Sequence, residues 1–259
     1  MGRTGQADRP RKVRLDRLLV ERGLAESRAR AQALILAGVV FSGERRIDKP
    51  GQTIAADAPL AVRGPDHPWV SRGGLKLERA LDRFGIDPTG QVCLDVGVST
   101  GGFTDVLLAR GAARVYAVDV GRGQLAWKLR TDPRVVVLER VNARRLSRAE
   151  VPEPIDLIAC DTSFIGLEAV LPAPMALAAP GARLIALIKP QFEVGKGRVG
   201  KGGVVRDPAL HEEVCRRIEA WLAAREGWRV LGLAESPILG ADGNKEFLIA
   251  AQMRPSSGS

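Results

Sequence analysis

"VCLDVGVSTGGFTDVLLARG", residues 92–111, is the stretch of sequence that decides the fold. A short apolar run leads into a glycine-rich turn, and apolar residues at helical spacing follow, so the stretch predicts a strand, a turn and a helix. Gly97 and Gly101 allow the backbone to turn tightly and to come close to a ligand. Ser99 or Thr100 is expected to cap the helix. Such a unit builds parallel α/β sheets, although the turn alone can serve NAD, a phosphate or no ligand.

Apolar runs with the length of strands recur along the chain from residue 91 onward. They lie at 91–96, 114–120, 135–138, 155–160, 183–188, 229–234 and 247–251. Helical stretches separate most of them, most clearly at 209–226. This alternation predicts the α/β class, with a Rossmann-like, doubly wound and mostly parallel sheet. Because ligands bind such sheets at the carboxyl ends of the strands, polar residues there are the candidates for a functional site.

The first quarter of the chain carries an unusual share of the positive charge. The whole protein has a formal net charge of +9, with a sequence pI near 10.1. Residues 1–62 contain 12 Lys/Arg and 7 Asp/Glu, a net charge of +5. Such a basic segment attracts polyanions, and nucleic acid is the commonest polyanion of the cytosol.

Within this segment the pattern predicts two short helices and a small β-element. Leucines recur at helical spacing over residues 15–19, and Gly23 is expected to end that helix. Ser27 is expected to cap the next helix, which places Arg28 and Arg30 in its first turn. Since arginines do not complement the positive start of a helix, these two are expected to serve another purpose.

"RGPDHPWV", residues 63–70, marks the change from one pattern to the other. Its proline and glycine content is typical of a joint between domains. We therefore predict a small α+β domain over residues 13–62, a linker over 63–70 and an α/β domain over 71–253.

Several function classes are excluded by composition. Cys93, Cys160 and Cys215 are too few and too widely spaced for a disulfide framework or a zinc cluster, and His67 and His211 are isolated. No run reaches the roughly 18–20 apolar residues that cross a bilayer, and the first residues lack the apolar core of a signal sequence. We expect a cytoplasmic monomer with no metal and no membrane partner.

The acids around the glycine-rich turn separate the cofactor possibilities. Asp95 precedes Gly97, the third glycine of G-x-G-x-x-G is missing, and the next strand, "RVYAVDVG", ends in Asp119. A carboxylate at that position can accept both hydroxyls of a ribose. This D-x-G-x-x-x-G-G turn followed by a strand-end acid resembles S-adenosylmethionine-dependent methyltransferases. The resemblance implies S-adenosyl-L-methionine as cofactor and, as its binding residues, Asp95, Gly97, Ser99, Thr100, Gly101, Gly102, Phe103, Asp119, Asn142 and Asp161.

Two charged residues are predicted at the sheet edge of the glycine-rich turn, and two more, of types that are usually solvated surface charges, complete an ordered set. "CDTSFI" and "IKPQFE" place Asp161 and Lys189 directly after buried strands. "SRGGLKL" places Lys76 in the helix that enters the domain, and "NKEF" places Glu246 at the start of the last strand. In the order Lys, Asp, Lys, Glu, they resemble the catalytic tetrad of the FtsJ-like RNA ribose 2′-O-methyltransferases.

The N-terminal segment has a resemblance of its own. Its R-L-D, G-L, S-R and A-G spacing, followed by a basic turn and "KPG", resembles the alpha-L (S4-type) RNA-binding domain, although "FSG" stands where that domain usually has "VNG". Together, residues 13–253 resemble the TlyA (haemolysin A) family. The resemblance implies a class I methyltransferase sheet, ribosomal RNA or ribosomal subunits as partner, and 2′-O-methylation of a cytidine ribose.

Basic residues in three places are candidates for RNA contacts. The loop "PQFEVGKGRVGKGGVVRDP", residues 190–208, is long enough to be a flexible clamp on RNA or a mobile linker. Phosphate contacts would position RNA without reading its sequence. The candidates are Arg14, Arg17, Arg28, Arg30, Lys49, Arg72, Lys196, Arg198 and Lys201.

Lys189 is the predicted acceptor of the ribose hydroxyl proton. Emerging from a buried strand near Lys76, it is expected to have a lowered pKa, because burial and a like charge disfavour the ammonium form. Asp161 and Glu246 act in the opposite direction, and the sequence does not decide which of the two lysines is the free base. "DTSF" lacks the proline pair of N/D-P-P-Y/F, which is common in methyltransferases that act on exocyclic amines. A non-catalytic RNA-binding assembly factor and a membrane-active haemolysin remain as alternatives.

Overall fold

The structure, a computed structural model, describes residues 11–63, 67–195 and 197–255. The chain divides into two compact units, with the boundary between Ser71 and Arg72. The domain bounds of 13–62, 63–70 and 71–253 stay a prediction.

The first unit combines two helices with two small antiparallel sheets. Leu15, Leu19, Ile35 and Val40 are buried in its core. Ser27 Oγ accepts a hydrogen bond from the backbone N–H of Arg30 at 3.1 Å, so the predicted cap is present. The elements are β1 (Lys12–Arg14), α1 (Leu15–Glu21), α2 (Arg28–Leu36), β2 (Val40–Ser42), β3 (Arg45–Arg46), β4 (Thr53–Ala55) and β5 (Ala61–Val62). β1 pairs with β4, and β2 lies between β3 and β5.

The second unit contains every strand that the apolar runs predicted, with helices between most of them. The fifth of those strands begins earlier than expected, at Ala178 instead of Arg183. The elements are α3 (Gly73–Phe84), β6 (Val92–Val96), α4 (Gly102–Ala109), β7 (Arg114–Asp119), α5 (Trp127–Arg130), β8 (Val135–Glu139), β9 (Ile155–Cys160), α6 (Leu167–Val170), α7 (Pro172–Met175), β10 (Ala178–Ile188), α8 (Pro190–Glu193), α9 (Pro208–Ala223), β11 (Trp228–Glu235) and β12 (Phe247–Met253).

These strands form one seven-stranded sheet in the order β11-β12-β10-β9-β6-β7-β8. β8, β7, β6, β9 and β10 run parallel to one another, and β12 is antiparallel to both β10 and β11. The carboxyl ends of the five parallel strands therefore lie at one edge, together with the start of β12. The predicted mostly parallel, doubly wound sheet is confirmed.

The sheet is held by apolar side chains that its helices cover. Leu94, Ile158, Leu184 and Ile249, on four neighbouring strands, are completely buried in one cluster. α9 contributes Val214, Ile218 and Leu222, whose spacing of four residues puts them on one helical face against the sheet. Burial of this kind is the main favourable contribution to folding.

The glycine-rich turn after β6 is built differently from the prediction. Neither Ser99 nor Thr100 caps α4; Gly101 stands at the N-cap position with φ +99° and no side-chain cap. Ser99 itself has φ +48°, and its backbone N–H donates to Asp119 Oδ2 at 2.8 Å. Ser99 thus donates its backbone N–H to Asp119 of β7, and its side chain does not cap α4. Gly97 is required by packing, since a β-carbon there would lie 2.7 Å from the carbonyl oxygen of Asp161.

Candidate active site

Lys76, Asp161, Lys189 and Glu246 come together at the predicted sheet edge. Lys76 Nζ lies 2.6 Å from Glu246 Oε2 and 3.8 Å from Asp161 Oδ2. Lys189 Nζ lies 2.5 Å from Asp161 Oδ1. The two acids and two ammonium groups therefore form one connected chain, with Asp161 between the lysines. None of the four side chains is more than 18% exposed.

Strand register explains how residues so distant in sequence meet. Ile188 of β10 pairs with Phe247 of the antiparallel β12, so Lys189, which follows one, lies beside Glu246, which precedes the other. Asp161 follows β9, the parallel neighbour of β10, and its backbone N–H donates to Val96 O at 2.9 Å. α3 completes the set, because Lys76 lies on its buried face.

The charges of this cluster stabilise one another. Burial would raise the pKa of Asp161, but Lys189 and Lys76 outweigh it and hold that pKa below its ordinary value. Burial would lower the pKa of Lys189, but Asp161 and Glu246 outweigh it and raise that pKa. The lowered pKa predicted for Lys189 is therefore wrong, because the two carboxylates that were expected to oppose the shift outweigh burial. Lys189 is an ammonium group in this arrangement.

A cavity of about 430 Å³ opens beside the four charged groups. Lys76, Lys189 and Phe164 are among its lining residues. Ser163 Oγ accepts a hydrogen bond from Lys189 Nζ at 3.2 Å. Phe164 has φ +66°, its side chain is 89% exposed, and its ring centroid lies 5.0 Å from that of Phe192. A bulky residue in the left-handed region at such a site indicates a constrained, functional position.

Glu193 connects the elements around this cavity, and no sequence pattern singled it out. Its buried Oε1 accepts from the Leu167 backbone N–H at 2.8 Å, and its Oε2 lies 2.6 Å from Arg217 Nη2 on α9. Burial raises the pKa of Glu193 although the Leu167 amide and Arg217 oppose the shift. The carboxylate thus joins α9 to the two segments that carry Lys189 and Phe164.

We expect Glu193→Ala to lower kcat by about 10- to 100-fold, because displacing reacting groups by about 1 Å has costs of that order. Glu193→Gln keeps an acceptor for the Leu167 amide and should recover part of the loss. Steady-state kinetics would separate kcat from KM, with cofactor affinity unchanged in both variants. Glu213→Gln, an exposed acid of α9, is the control. Wild-type kcat in Glu193→Ala would contradict the positioning role.

Asp95 and Asp119 flank the glycine-rich turn. Asp95 Oδ2 accepts from Thr104 Oγ1 at 2.7 Å, whereas its buried Oδ1 has no hydrogen-bond partner among the described residues. Burial raises the pKa of Asp95 to about 7. Asp119 accepts from the backbone N–H groups of Ser99 and Gly121 at 2.8 and 2.7 Å, which fixes its carboxylate at the end of β7. Since a buried acceptor without a partner is costly, the Asp95 oxygen is suited to a ligand donor, directly or through water.

The other predicted cofactor residues differ in what they offer a ligand. Gly102 and Thr100 are buried in the turn. Phe103 is 3% exposed, and its contact with the cofactor stays a prediction. Asn142 is exposed after β8, and its Oδ1 accepts from the Arg144 backbone N–H at 3.1 Å. Asn142 therefore shapes a turn that leads away from the strand.

In the first unit, predicted RNA contacts are organised by a buried acid that the prediction did not include. Asp16 is fully buried, and its carboxylate accepts from Arg14 at 2.9 and 3.1 Å and from Arg28 at 3.1 Å. Both guanidinium groups remain at least half exposed. Arg17 pairs with Glu21 at 2.7 Å, and Arg30 is exposed. Arg14 and Arg28 are thus held in place with donors still facing solvent.

The segment after Lys189 is more ordered than the predicted loop. α8 occupies its start, and Asn244 holds its end by accepting from the Val205 N–H and donating to Gly203 O, both at 3.0 Å. Arg198 forms a bidentate ion pair with Glu213 of α9, with Nη1–Oε1 at 2.5 Å and Nη2–Oε2 at 2.6 Å. Because both side chains of this pair are about half exposed, the pair is a weak one and Arg198 stays a predicted RNA contact.

The remaining predicted RNA contacts lie in both units of the chain. Lys201 is exposed in a short 3₁₀ turn, and Lys49 lies in the first unit before β4. Arg72 stands at the N-cap position of α3. Lys196 lies outside the described residues.

Over residues 11–63, 67–195 and 197–255, no helix is long and apolar enough to cross a membrane. The same residues contain no group of three His, Cys, Asp or Glu side chains that could hold a metal ion. His211 instead bonds through Nε2 to the carbonyl oxygen of Val205 at 2.9 Å.

Comparison with known proteins agrees with this architecture over nearly the whole chain. Residues 69–253 match the family model of the FtsJ-like methyltransferases, and residues 13–58 match that of the S4 domain. A Mycobacterium tuberculosis protein named 16S/23S rRNA (cytidine-2′-O)-methyltransferase TlyA is 49% identical over 240 residues, which cover 92% of this chain and 89% of that protein. Hemolysin A of Brachyspira hyodysenteriae is 40% identical over 91% of this chain and 98% of its own length.

A solved structure gives the same result. A Streptococcus thermophilus protein described as a hemolysin superposes with a TM-score of 0.73 and 42% sequence identity, covering 95% of this chain and 89% of that one. Both the sequence matches and this superposition extend across the S4 domain and the sheet. The chain therefore belongs to the TlyA (haemolysin A) family of FtsJ-like methyltransferases that carry an N-terminal S4 domain.

Proposed function

We propose that the protein is a ribosomal RNA methyltransferase that transfers a methyl group from S-adenosylmethionine to the ribose 2′-oxygen of a cytidine. The observation that carries the proposal is the buried cluster of Lys76, Asp161, Lys189 and Glu246 beside an open cavity. Relatives named for cytidine 2′-O-methylation support the substrate. The S4 domain supports an RNA partner.

The residues around the glycine-rich turn suit this cofactor. Asp119 presents a fixed carboxylate for ribose hydroxyls, and the unpartnered Asp95 Oδ1 suits the amino group of the methionine part. When bound, S-adenosylmethionine supplies a methyl group that its sulfonium charge has already activated. The protein is then left to align the ribose oxygen and to take up a proton.

Lys189 is the group we assign to that proton. It has to release its own proton before it can accept the one from the ribose hydroxyl, and its raised pKa opposes the release. The sulfonium charge of a bound S-adenosylmethionine would favour this release, because a like charge nearby disfavours the ammonium form of Lys189. Asp161 holds the amine in line, and Lys76 with Glu246 holds Asp161.

Phe164 is the side chain we assign to the base of the target nucleotide. Its exposed ring, backed by Phe192, offers a stacking surface at the mouth of the cavity. We expect Phe164→Ala to raise KM for RNA by about 5- to 150-fold, since stacking of one base on an aromatic ring is worth about 1–3 kcal/mol. Phe164→Trp should keep most of the affinity. Equal KM values for the alanine variant and the wild type would remove this role.

The proposed function is tested by methyl transfer to unmethylated ribosomal subunits. The protein would be incubated with labelled S-adenosylmethionine and small or large subunits, or with their free RNA, and the modified nucleoside identified by mass spectrometry. The expected product is 2′-O-methylcytidine. A base-methylated nucleoside would show that the acceptor is wrong. RNA binding without transfer on any substrate would favour a non-catalytic assembly factor, and leakage of liposomes without transfer would favour a membrane-active protein.

A further inference from the structure

The catalytic unit carries a second concentration of positive charge, distant in sequence from the S4 domain. Residues 120–145 contain 7 Lys/Arg and 2 Asp/Glu, a net charge of +5. Residues 1–62 reach the same net charge with more than twice the length. A density of this kind on one segment indicates a polyanion partner more strongly than the same charge spread over a surface.

Hydrogen bonds join the parts of this segment into one surface at the end of β7 and β8. The Arg140 backbone N–H donates to Gly121 O at 3.1 Å, and the Val141 N–H donates to Asp119 O at 3.1 Å. Arg140 has φ +58°, a left-handed turn that redirects the chain directly after β8. Asn142 then caps the turn that carries Arg144 and Arg145.

The acids of this surface are already engaged. Glu139 accepts from the Gly123 N–H at 2.7 Å and pairs with Arg130. Asp132 is held by Arg134 at 2.8 and 3.0 Å. Four exposed arginines have no carboxylate within ion-pair distance in the described part of the chain, although the charge of Arg122 still acts on Glu139. They are Arg122, Arg140, Arg144 and Arg145.

Apolar side chains stand among these arginines. Trp127, at the start of α5, is 76% exposed, and Val120, directly after β7, is 70% exposed. A positively charged groove with an exposed aromatic ring is the combination by which proteins hold single-stranded nucleic acid, with phosphates on the cations and a base on the ring. A protein partner would need acids placed opposite all four arginines.

We infer that Arg122, Trp127, Arg140, Arg144 and Arg145, here called the arginine rim, bind an RNA strand next to the active site. The inference rests on the proposed function, because it assumes that the cavity binds RNA. The same RNA strand would then continue from the cavity along the sheet edge to the arginine rim. β8 lies three strands from β9, roughly 14 Å across the sheet. A strand of a few nucleotides spans that distance, well within the sites of about 4–16 nucleotides that such grooves hold.

The test compares two triple variants that lose the same charge. Arg140, Arg144 and Arg145 are changed to Gln in one, and Arg216, Arg225 and Arg229 in the other. The control arginines lie on α9, just after it and on β11, and β11 is the edge strand opposite β8. Affinity for free ribosomal RNA is measured across a salt series, and thermal melting verifies that both variants are folded.

The rim variant is expected to bind more weakly and to flatten the plot of log K against log salt by about 2, given a slope of about 0.7 per phosphate contact on a single strand. Trp127→Ala should lower affinity about 5- to 100-fold with the slope unchanged, because stacking releases no counterions. Both changes should raise KM for RNA and leave kcat at saturating RNA intact. The opposite-edge variant should match the wild type in slope.

Two results would overturn the inference. One is a salt slope for the rim variant equal to that of the opposite-edge variant. The other is a Trp127→Ala protein that loses cofactor affinity but not RNA affinity, which would assign the ring to the cofactor. The wild type could also bind RNA through the rim without transferring a methyl group. That result would reject the proposed function but not the inference that the arginine rim binds RNA.

Discussion

Lys189→Ala is expected to lower kcat for ribose methylation by about 10²- to 10⁴-fold, the usual contribution of a positioned proton acceptor. Cofactor affinity should change little, because Asp95 and Asp119 bracket a different turn of the sheet edge. Lys189→Arg should be equally inactive. It keeps a positive charge opposite Asp161, but a guanidinium group does not give up its proton in proteins. Single-turnover methyl transfer with cofactor binding measured in parallel would check both variants.

A nearby lysine provides the matched control. Lys245 precedes Glu246, but its side chain is half exposed and pairs with Glu235 at 3.2 Å. Lys245→Ala should therefore keep kcat near the wild-type value. Near-normal turnover in Lys189→Arg would show that residue 189 only aligns the ribose. Another group would then have to accept the proton of the ribose hydroxyl.

The sheet was predictable because its strands are long apolar runs separated by helical spacing. Seven runs became seven strands, since a parallel strand buried on both faces has to be apolar along its length. The reversal of β12 was not predictable in the same way. Its run, at 247–251, looks like the others, and only the pairing of Ile188 with Phe247 brings Glu246 to the active edge.

The cap of α4 failed as a prediction because serine and threonine precede many helices, whereas this turn is left-handed at both Ser99 and Gly101. The pKa of Lys189 failed for a related reason, since sequence order indicates neighbours but not the 2.5 Å that separates its amine from Asp161. The contacts of Glu193 were hidden as well, because one of its partners lies on α9. The residues of the arginine rim come from three short segments. They form one positively charged surface only because β7 and β8 pair with each other.

Asp161→Asn is expected to alter both activity and stability, because it removes the negative charge between Lys76 and Lys189 while keeping the shape of the side chain. Without Asp161, burial still lowers the pKa of Lys189, and Glu246 is the carboxylate that remains to raise it. The rise of kcat with pH should therefore move to lower pH than in the wild type. The plateau should fall by a factor of about 10² or more, since the amine is no longer held in line. A pH series of single-turnover rates measures both effects.

The stability change has a defined pH dependence. The depressed pKa of Asp161 means that its contribution to stability is present above its unfolded value, about 3.9, and is lost as pH falls through the folded value. The raised pKa of Lys189 means that its contribution is present below its unfolded value, about 10.4, and is lost as pH rises through the folded value. The difference in unfolding free energy between wild type and Asp161→Asn should thus be largest between about pH 5 and 9, at about 3–5 kcal/mol for breaking a buried pair.

Asp132→Asn is the control for this experiment, because Asp132 is as little exposed as Asp161 but pairs with a single arginine away from the cavity. Its variant should lose less stability and keep the wild-type pH profile of kcat. If Asp161→Asn kept the wild-type profile as well, the charge of Asp161 would not control the proton of Lys189. Lys189 would then have to be set by Glu246, the other carboxylate that raises its pKa.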